Sequence, residues 1–304
     1  MALARTEQQH AEAAGLDVQP PETILRILAE AQVQAAAAVG QALPQIAEAA
    51  ATAADALRGG GRLIYAAAGS SGLMALADAL EMPGTFGIAR DRVVTLMAGG
   101  IASLTDMVGG VEDDAEEAAR EISALGVSAS DCVFALSASG TTPYAVGALT
   151  QAKKLGARTI GIANNAGTPL VTGADIGIVL PTPPEVIAGS TRMGAGTAQK
   201  ITLNMLSTLV AVHLGHVHDG FMVNLRADNE KLRGRAARIV SAVSGTDIEQ
   251  ARRALDTAGG AVKEAVLLAS GSRGADEARQ LLGESNEHLR DALKRLQEGR
   301  FTPR

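Results

Sequence analysis

The feature of this sequence that most constrains its fold is an alternation of short apolar runs with helical segments between Arg62 and Pro181. The apolar runs occupy residues 63–68, 93–97, 132–136, 159–163 and 176–180. Helical patterns separate them at residues 73–80, 112–125 and 144–155. Continuous apolar strands that alternate with helices are typical of a parallel sheet covered on both faces, with right-handed crossovers. The sequence therefore predicts a doubly wound α/β fold with five parallel strands.

Helical segments flank this region on both sides. Residues 22–57 have helical apolar spacing, and Pro44 is expected to kink or split that helix. Residues 196–214 predict a long buried helix, and from residue 229 glycine turns separate three short helices from a terminal one. We therefore expect an N-terminal helical segment at residues 1–58, the α/β domain at residues 59–220 and a small C-terminal helical bundle at residues 221–304.

The composition excludes several classes of protein. Among 304 residues, 47% are hydrophobic and 20% are charged, which is typical of a folded globular chain. A net charge of −6 argues against nucleic acid or an anionic membrane surface as the partner. The single cysteine, Cys132, excludes an intrachain disulfide and a four-cysteine zinc site. The N-terminal residues lack the pattern of a signal peptide, and we expect a cytoplasmic protein without membrane spans.

Two predicted strand-to-helix turns combine small residues with hydroxyl groups. The first contains Gly69, Ser70 and Ser71, and the second contains Ser137, Ser139, Gly140 and Thr142. Small residues let a ligand approach the backbone, the following helix offers free N–H groups, and hydroxyls complete a cradle for phosphate. Neither turn has the glycine spacing of a dinucleotide or nucleoside triphosphate site. Either turn alone fits an ordinary capped helix start, but two at the carboxyl edge of one sheet favour phosphate binding.

Three histidines and two cations are weaker candidates for functional residues. His213, His216 and His218 end a predicted helix, but their spacing is a poor match to a zinc site, and no metal is expected. Arg192 and Lys200 could contact phosphate or another subunit, or pair with a nearby glutamate, and a structural role is favoured for both.

Longer motifs resemble one family. The two hydroxyl turns resemble the phosphate loops of sugar isomerase (SIS) domains. The wider match, from about residue 60 to about residue 240, resembles N-acetylmuramic acid 6-phosphate etherases. It is carried by GGRLIYAAAGSSG, DALEMPGTFG, MAGG, GVEDD, ASGTTPY, IGIANNAGT, PEVIAGSTRMGAGTAQKITLNMLST and DNEKLRGRAARIV. The resemblance implies an SIS-type sheet and a homodimer. It also implies a lyase that works without metal or nucleotide cofactor in the recycling of cell-wall amino sugars.

That family removes the D-lactyl ether from C3 of the sugar phosphate by elimination and then hydration, giving N-acetylglucosamine 6-phosphate and D-lactate. By resemblance, Glu81 is the proton donor to the lactyl oxygen, Glu112 is the base at C2, and Ser190 joins the phosphate-binding residues. Two carboxyl groups in different environments suit such acid–base work, although the resemblance leaves their order open. Without the resemblance, both glutamates fit ordinary helix-end positions.

The sequence departs from the family where cations are usual. Leu73, Thr141 and Gly194 stand where the family usually has arginine, arginine and lysine. Leucine, threonine and glycine cannot replace a cation that binds carboxylate or phosphate. An etherase-like lyase or an aldose–ketose isomerase acting on another sugar phosphate, or a non-catalytic sugar-phosphate sensor, therefore stays open. Retention of Glu81 and Glu112 argues against the sensor.

Overall fold

A computed structural model describes residues 3–107, 109–225 and 230–301 and contains a five-stranded parallel sheet. Its strands are β1 Leu63–Ala67, β2 Val93–Met97, β3 Cys132–Ser137, β4 Arg158–Ala163 and β5 Ile176–Val179. The strand order is β2-β1-β3-β4-β5, and each neighbouring pair is parallel. The predicted α/β class and strand number are confirmed.

Twelve α-helices, six short 3-10 helices and a short hairpin complete the described part of the chain. The helices are α1 Pro21–Ala38, α2 Leu43–Arg58, α3 Gly69–Phe86, α4 Ala115–Ala124, α5 Pro143–Lys154, α6 Pro169–Gly173, α7 Gly194–His213, α8 Glu230–Ser244, α9 Ile248–Thr257, α10 Val262–Ala269, α11 Ala275–Glu284 and α12 Leu289–Phe301. The hairpin pairs β6 Val217–His218 with β7 Phe221–Met222. No helix in the described ranges is both long enough and apolar enough to cross a bilayer.

The fold divides into two compact units. One comprises the chain up to Ala79 together with Arg90–Leu209, and the other comprises Leu80–Ala89 and the chain from Val210 onward. Helices α3 and α7 contribute residues to both units. The domain limits expected from the sequence, at residues 58 and 220, stay a prediction.

The core of the first unit is aliphatic and rich in alanine, as the scarcity of aromatic residues predicts. On one face of the sheet, Ile64 and Val133 pack with Ile122 of α4 and Ala148 of α5. Side chains alternate along a strand, so the neighbouring Tyr65 of β1 points to the other face. There it stacks on Phe134 of β3, with ring centroids 5.2 Å apart.

The core of the second unit is built by the C-terminal helices. Val240 of α8, Leu255 of α9, Val266 of α10, Leu282 of α11 and Leu296 of α12 belong to one buried cluster. This unit therefore has its own hydrophobic core. The motif that begins at Asp228 and Asn229 starts outside the described residues.

Several predicted element limits are corrected. α1 ends at Ala38 and α2 begins at Leu43, so the helix is split next to Pro44, as predicted. Helix α4 begins at Ala115 rather than at residue 112. The C-terminal region has five helices instead of four, because the backbone turns at Asn286 and Glu287, both of which have positive φ angles.

Candidate functional site

The two hydroxyl turns follow neighbouring strands at the point where the strand order reverses. β1 lies between β2 and β3 in the sheet. The connection from β1 leads to β2 on one side, and the connection from β2 leads back to β3 on the other side of β1. In such sheets the crevice outside the carboxyl ends of the two strands at this switch point is the usual ligand site. Ala67 of β1 pairs with Leu136 of β3, and the turns that follow leave the same edge of the sheet.

The second turn is a compact hydroxyl cluster. Ser137 Oγ lies 2.7 Å from Thr142 Oγ1 and 3.1 Å from Ser139 Oγ, and it accepts the Gly140 N–H at 3.1 Å. Gly140 has φ +76°, and a Cβ there would lie 2.2 Å from the Thr168 hydroxyl oxygen. Four residues predicted to bind phosphate are therefore brought together here. Only glycine fits the position between them.

The first turn is the beginning of a helix. α3 begins at Gly69, four residues before the predicted helix, so Ser70 and Ser71 lie in its first turn. The earliest backbone bond of this turn runs from the Gly72 N–H to the Ala68 carbonyl. The N–H groups ahead of Gly72 are those that a helix start leaves available to an anion, at the positive end of an 18-residue helix.

The side chain of Asn165 holds the second turn through hydrogen bonds to its backbone. Its side-chain amide donates to the carbonyls of Ala138 and Ser139, at 3.3 and 3.2 Å, and to the hydroxyl of Thr6 at 3.1 Å. Its Oδ1 accepts the backbone N–H of Arg5 at 3.0 Å. The N-terminal 3-10 helix Arg5–Glu7 is therefore attached to the loop that follows β4. Sequence reasoning missed this contact, because nothing local relates residues 160 positions apart.

Ser190 lies in the segment that precedes α7. It is half-buried, and its backbone N–H and carbonyl bond to Ile187 and Met193. The N-terminus of α7 already holds an anion from the chain itself. Buried Glu185 accepts the N–H groups of Gly194 and Ala195 at 2.9 and 2.8 Å.

Glu185, which caps α7, was a possible partner for the nearby Arg192 and Lys200. The Glu185 carboxylate bonds to backbone N–H groups, and within the described residues it forms no ion pair with Arg192 or Lys200. A Cβ at Gly194 would lie 3.1 Å from Glu185 Oε2, so glycine accommodates this cap where the family usually has lysine.

Glu112 is exposed and lies in the 3-10 helix Gly109–Asp113. The side chain that caps α4 is that of Asp114, which accepts the Glu117 N–H at 2.7 Å. A helix-capping role therefore accounts for Asp114 and leaves Glu112 available.

Glu81 is also exposed, and it lies on α3 within the segment Leu80–Ala89 of the second unit. Its neighbour Met82 is buried. Both glutamates that the resemblance marks as catalytic are thus exposed in this structure.

One turn before Glu81 on α3, a buried carboxylate connects three elements. Asp78 accepts the Tyr65 hydroxyl of β1 at 3.1 Å and the Ser207 hydroxyl of α7 at 2.9 Å. Burial, and then the charge of Asp78, raise the pKa of Tyr65 well above its ordinary value. This cluster, which sequence reasoning also missed, fixes α3 to the strand that leads into the first turn.

Neither the cysteine nor any cluster of possible metal ligands in the described residues indicates a further type of chemistry. Burial raises the pKa of Cys132 to about 12, so its thiol stays protonated inside the sheet. No three His, Cys, Asp or Glu side chains in the described ranges are grouped so that they could hold a metal ion.

Comparison with known proteins gives a consistent picture. Residues 97–214 match the SIS domain family. The chain is 43% identical over 289 residues to an N-acetylmuramic acid 6-phosphate etherase from Deinococcus radiodurans, covering 95% of each chain. It is 44% identical to the Streptomyces avermitilis etherase over 95% of this chain and 93% of that one. The etherase of Geobacillus thermodenitrificans is 41% identical, over 95% of this chain and 98% of that one.

Proposed function

Because this chain belongs to the N-acetylmuramic acid 6-phosphate etherase family, we propose that it cleaves the D-lactyl ether of N-acetylmuramic acid 6-phosphate. The observation that carries the proposal is the pair of hydroxyl turns at the β1/β3 switch point, in a chain 43% identical over 95% of its length to a named etherase. The products are N-acetylglucosamine 6-phosphate and D-lactate, an activity that suits the recycling of cell-wall amino sugars.

The reaction needs two carboxyl groups with opposite starting protonation. In the open-chain sugar, the aldehyde at C1 acidifies the proton on C2, and the Glu112 carboxylate removes it. The C3–O bond then breaks, and Glu81 gives a proton to the departing lactate oxygen. Water adds to the resulting unsaturated aldehyde at C3, and a proton returns to C2 with the two roles reversed.

The phosphate group is held by the two turns. The hydroxyls of Ser137, Ser139 and Thr142 offer neutral hydrogen bonds, and the first turn of α3 offers N–H groups and the positive end of a helix. The phosphate is far along the sugar from C3, so these contacts bind substrate and transition state equally and act on KM more than on kcat.

We propose that the working form is a homodimer. Two large apolar side chains of α1, Leu25 and Val33, are 64% and 69% exposed, and the smaller Ala29 lies exposed between them. Spacing of four residues places the three along one side of the helix. An apolar stripe of this kind is typical of a surface that another subunit covers. We also propose a cytoplasmic location, because a sugar that carries both a phosphate and a carboxylate group does not cross a bilayer unaided.

The deciding experiment is an assay of D-lactate release from N-acetylmuramic acid 6-phosphate in water enriched in ¹⁸O. Elimination followed by hydration places the label on C3 of the sugar product. Label in the lactate instead would contradict elimination at C3. A folded protein that releases no lactate but interconverts an aldose and a ketose phosphate would be an isomerase. One that binds a sugar phosphate without turnover would be a sensor.

A further inference from the structure

The proposed phosphate site has few cations of its own. The second turn contributes only neutral groups, and the family's usual arginine at its tip is Thr141, whose hydroxyl donates to Ser139 Oγ at 3.1 Å. The position in the first turn where the family usually has arginine is the half-buried Leu73. A phosphate dianion bound only by hydroxyls and backbone N–H groups lacks a charge-assisted partner, which is the strongest kind of hydrogen bond.

The N-terminal segment brings an arginine to this turn. The backbone N–H of Arg5 donates to Asn165 Oδ1 at 3.0 Å, and the Nδ2 of the same side chain donates to the Ser139 carbonyl at 3.2 Å. One amide group therefore separates the Arg5 backbone from the turn.

The position of this segment is fixed at two further points. Thr6 is buried, and its hydroxyl accepts from Asn165 at 3.1 Å. The Thr6 carbonyl accepts the Gly189 N–H at 3.2 Å, so the segment also bonds to the residue before Ser190. Arg5 thus lies where two of the predicted phosphate-binding segments are connected.

The Arg5 side chain is not committed elsewhere. It is exposed, and across residues 3–107, 109–225 and 230–301 its guanidinium forms no ion pair or hydrogen bond. Exposed arginines on the helices commonly pair with a carboxylate three or four residues away, as Arg252 does with Glu249 at 2.7 Å. An arginine that is fixed through its backbone and unpaired at its side chain is available to a ligand.

We propose that Arg5 supplies the cation that binds the 6-phosphate of the substrate at the second hydroxyl turn. The inference rests on the proposed function, since it takes a sugar 6-phosphate as the ligand. The guanidinium then supplies the positive charge that Thr141 does not carry, and its planar fork can donate two parallel bonds to one phosphate.

The test compares Arg5→Gln and Arg5→Lys with Arg252→Gln, a matched substitution of an exposed arginine in the second unit. Arg5→Gln is expected to raise KM by about tenfold and to leave kcat within about twofold, because a charge-assisted bond to phosphate is lost equally from substrate and transition state. Arg5→Lys should recover part of the loss, since it restores charge without the fork. Arg252→Gln should match the wild type.

Binding of N-acetylglucosamine 6-phosphate, measured by calorimetry, distinguishes phosphate from carboxylate recognition. This product has the phosphate and lacks the lactyl carboxylate, so Arg5→Gln should weaken its binding by the same factor by which KM rises. An unchanged affinity for the product beside a raised KM would assign Arg5 to the lactyl carboxylate and overturn the proposal. Unchanged KM and unchanged affinity would overturn it too.

The calorimetry also separates this inference from the proposed function. If the wild type releases no lactate but binds N-acetylglucosamine 6-phosphate, the etherase proposal fails. The effect of Arg5→Gln on that affinity still decides the role of Arg5. A wild-type protein that binds no sugar 6-phosphate overturns both.

Discussion

Glu112 and Asp114 lie two residues apart in one acidic run, yet their surroundings differ. Asp114 is occupied as the cap of α4, whereas Glu112 is exposed in a 3-10 turn. Sequence alone favours helix capping for the whole run, because acidic side chains are common at helix starts. The structure gives that role to Asp114 and leaves Glu112 available for chemistry.

The two glutamates are predicted to affect different steps. Glu112→Gln should lower both lactate release and the exchange of the C2 proton with deuterated water by at least about a hundredfold, the scale of a lost general base. Glu81→Gln should lower lactate release by a similar factor and exchange much less. NMR detection of exchange and enzymatic detection of lactate measure both. Glu116→Gln, a nearby exposed carboxylate, is the control. Equal loss of both steps in Glu81→Gln would contradict the assigned roles.

His216 is predicted to make the second unit sensitive to acid. Burial, and then the nearby charge of Lys263, lower its pKa to about 4, and its Nδ1 is buried without a hydrogen-bond partner in the part of the chain that the structure describes. The unfolded chain takes up this proton near pH 6.5, whereas the folded chain does so near pH 4. Stability from this residue is therefore complete above about pH 6.5 and falls by about 3 kcal/mol as the pH drops to about 4.

Urea unfolding followed by circular dichroism at pH 7.5, 5.5 and 4.5 measures this dependence. His216→Gln should flatten the loss between pH 6.5 and pH 4, since glutamine does not titrate. His10→Gln, a substitution outside the second unit, is the control, and it should keep the wild-type slope. A wild-type slope in His216→Gln would show that another group causes the acid sensitivity.

At the scale of elements, the Asp78 cluster is predicted to hold three of them together. Ser207→Ala removes one of the two hydroxyl donors that the carboxylate has from β1 and α7. A buried charge that loses a donor costs about 1–3 kcal/mol, so the free energy of unfolding should fall by that amount. The adjacent exposed Thr208→Ala should cost no more than about 0.5 kcal/mol. Equal values in urea unfolding for the two variants would contradict a structural role for the cluster.

The strands could be predicted from the sequence because each is a short, largely apolar run. β3, for example, is buried along all six of its residues, and such a run carries its own signal. Helix ends were predicted less well. α3 begins at Gly69 because the turn after β1 is itself helical, and the last helical region breaks at Asn286 and Glu287, where no glycine marks the turn.

The candidate site was predictable to the extent that its residues are consecutive. Ser137 and Thr142 lie within six residues, and the structure places their hydroxyls 2.7 Å apart. The contact of Asn165 with Arg5 spans 160 residues, and the contact of Asp78 with Ser207 spans 129. Long-range pairs of polar residues leave no periodic pattern in a single sequence, so the fold had to be known before they could be found.

At the scale of the whole molecule, the proposed homodimer depends on whether a second subunit covers α1. Removal of an exposed leucine or valine from water contributes about 1.5–3 kcal/mol, so Leu25 and Val33 together favour association if a second subunit covers them. Because α1 belongs to the unit that holds both hydroxyl turns, loss of the dimer is also expected to change KM for the sugar phosphate.

A charge placed on this helix is therefore predicted to separate the subunits. Val33→Glu should raise the dissociation constant of the dimer by at least about tenfold, because burying an unpaired carboxylate opposes association. Sedimentation measures the change, from twice the chain mass of 30.9 kDa toward the single mass. Gln34→Glu adds the same charge to the next exposed residue, which points about 100° away around the helix, and should leave the dimer intact. If both variants sediment like the wild type, α1 is not the contact surface. If the wild type itself sediments as a single chain, the homodimer proposal is wrong.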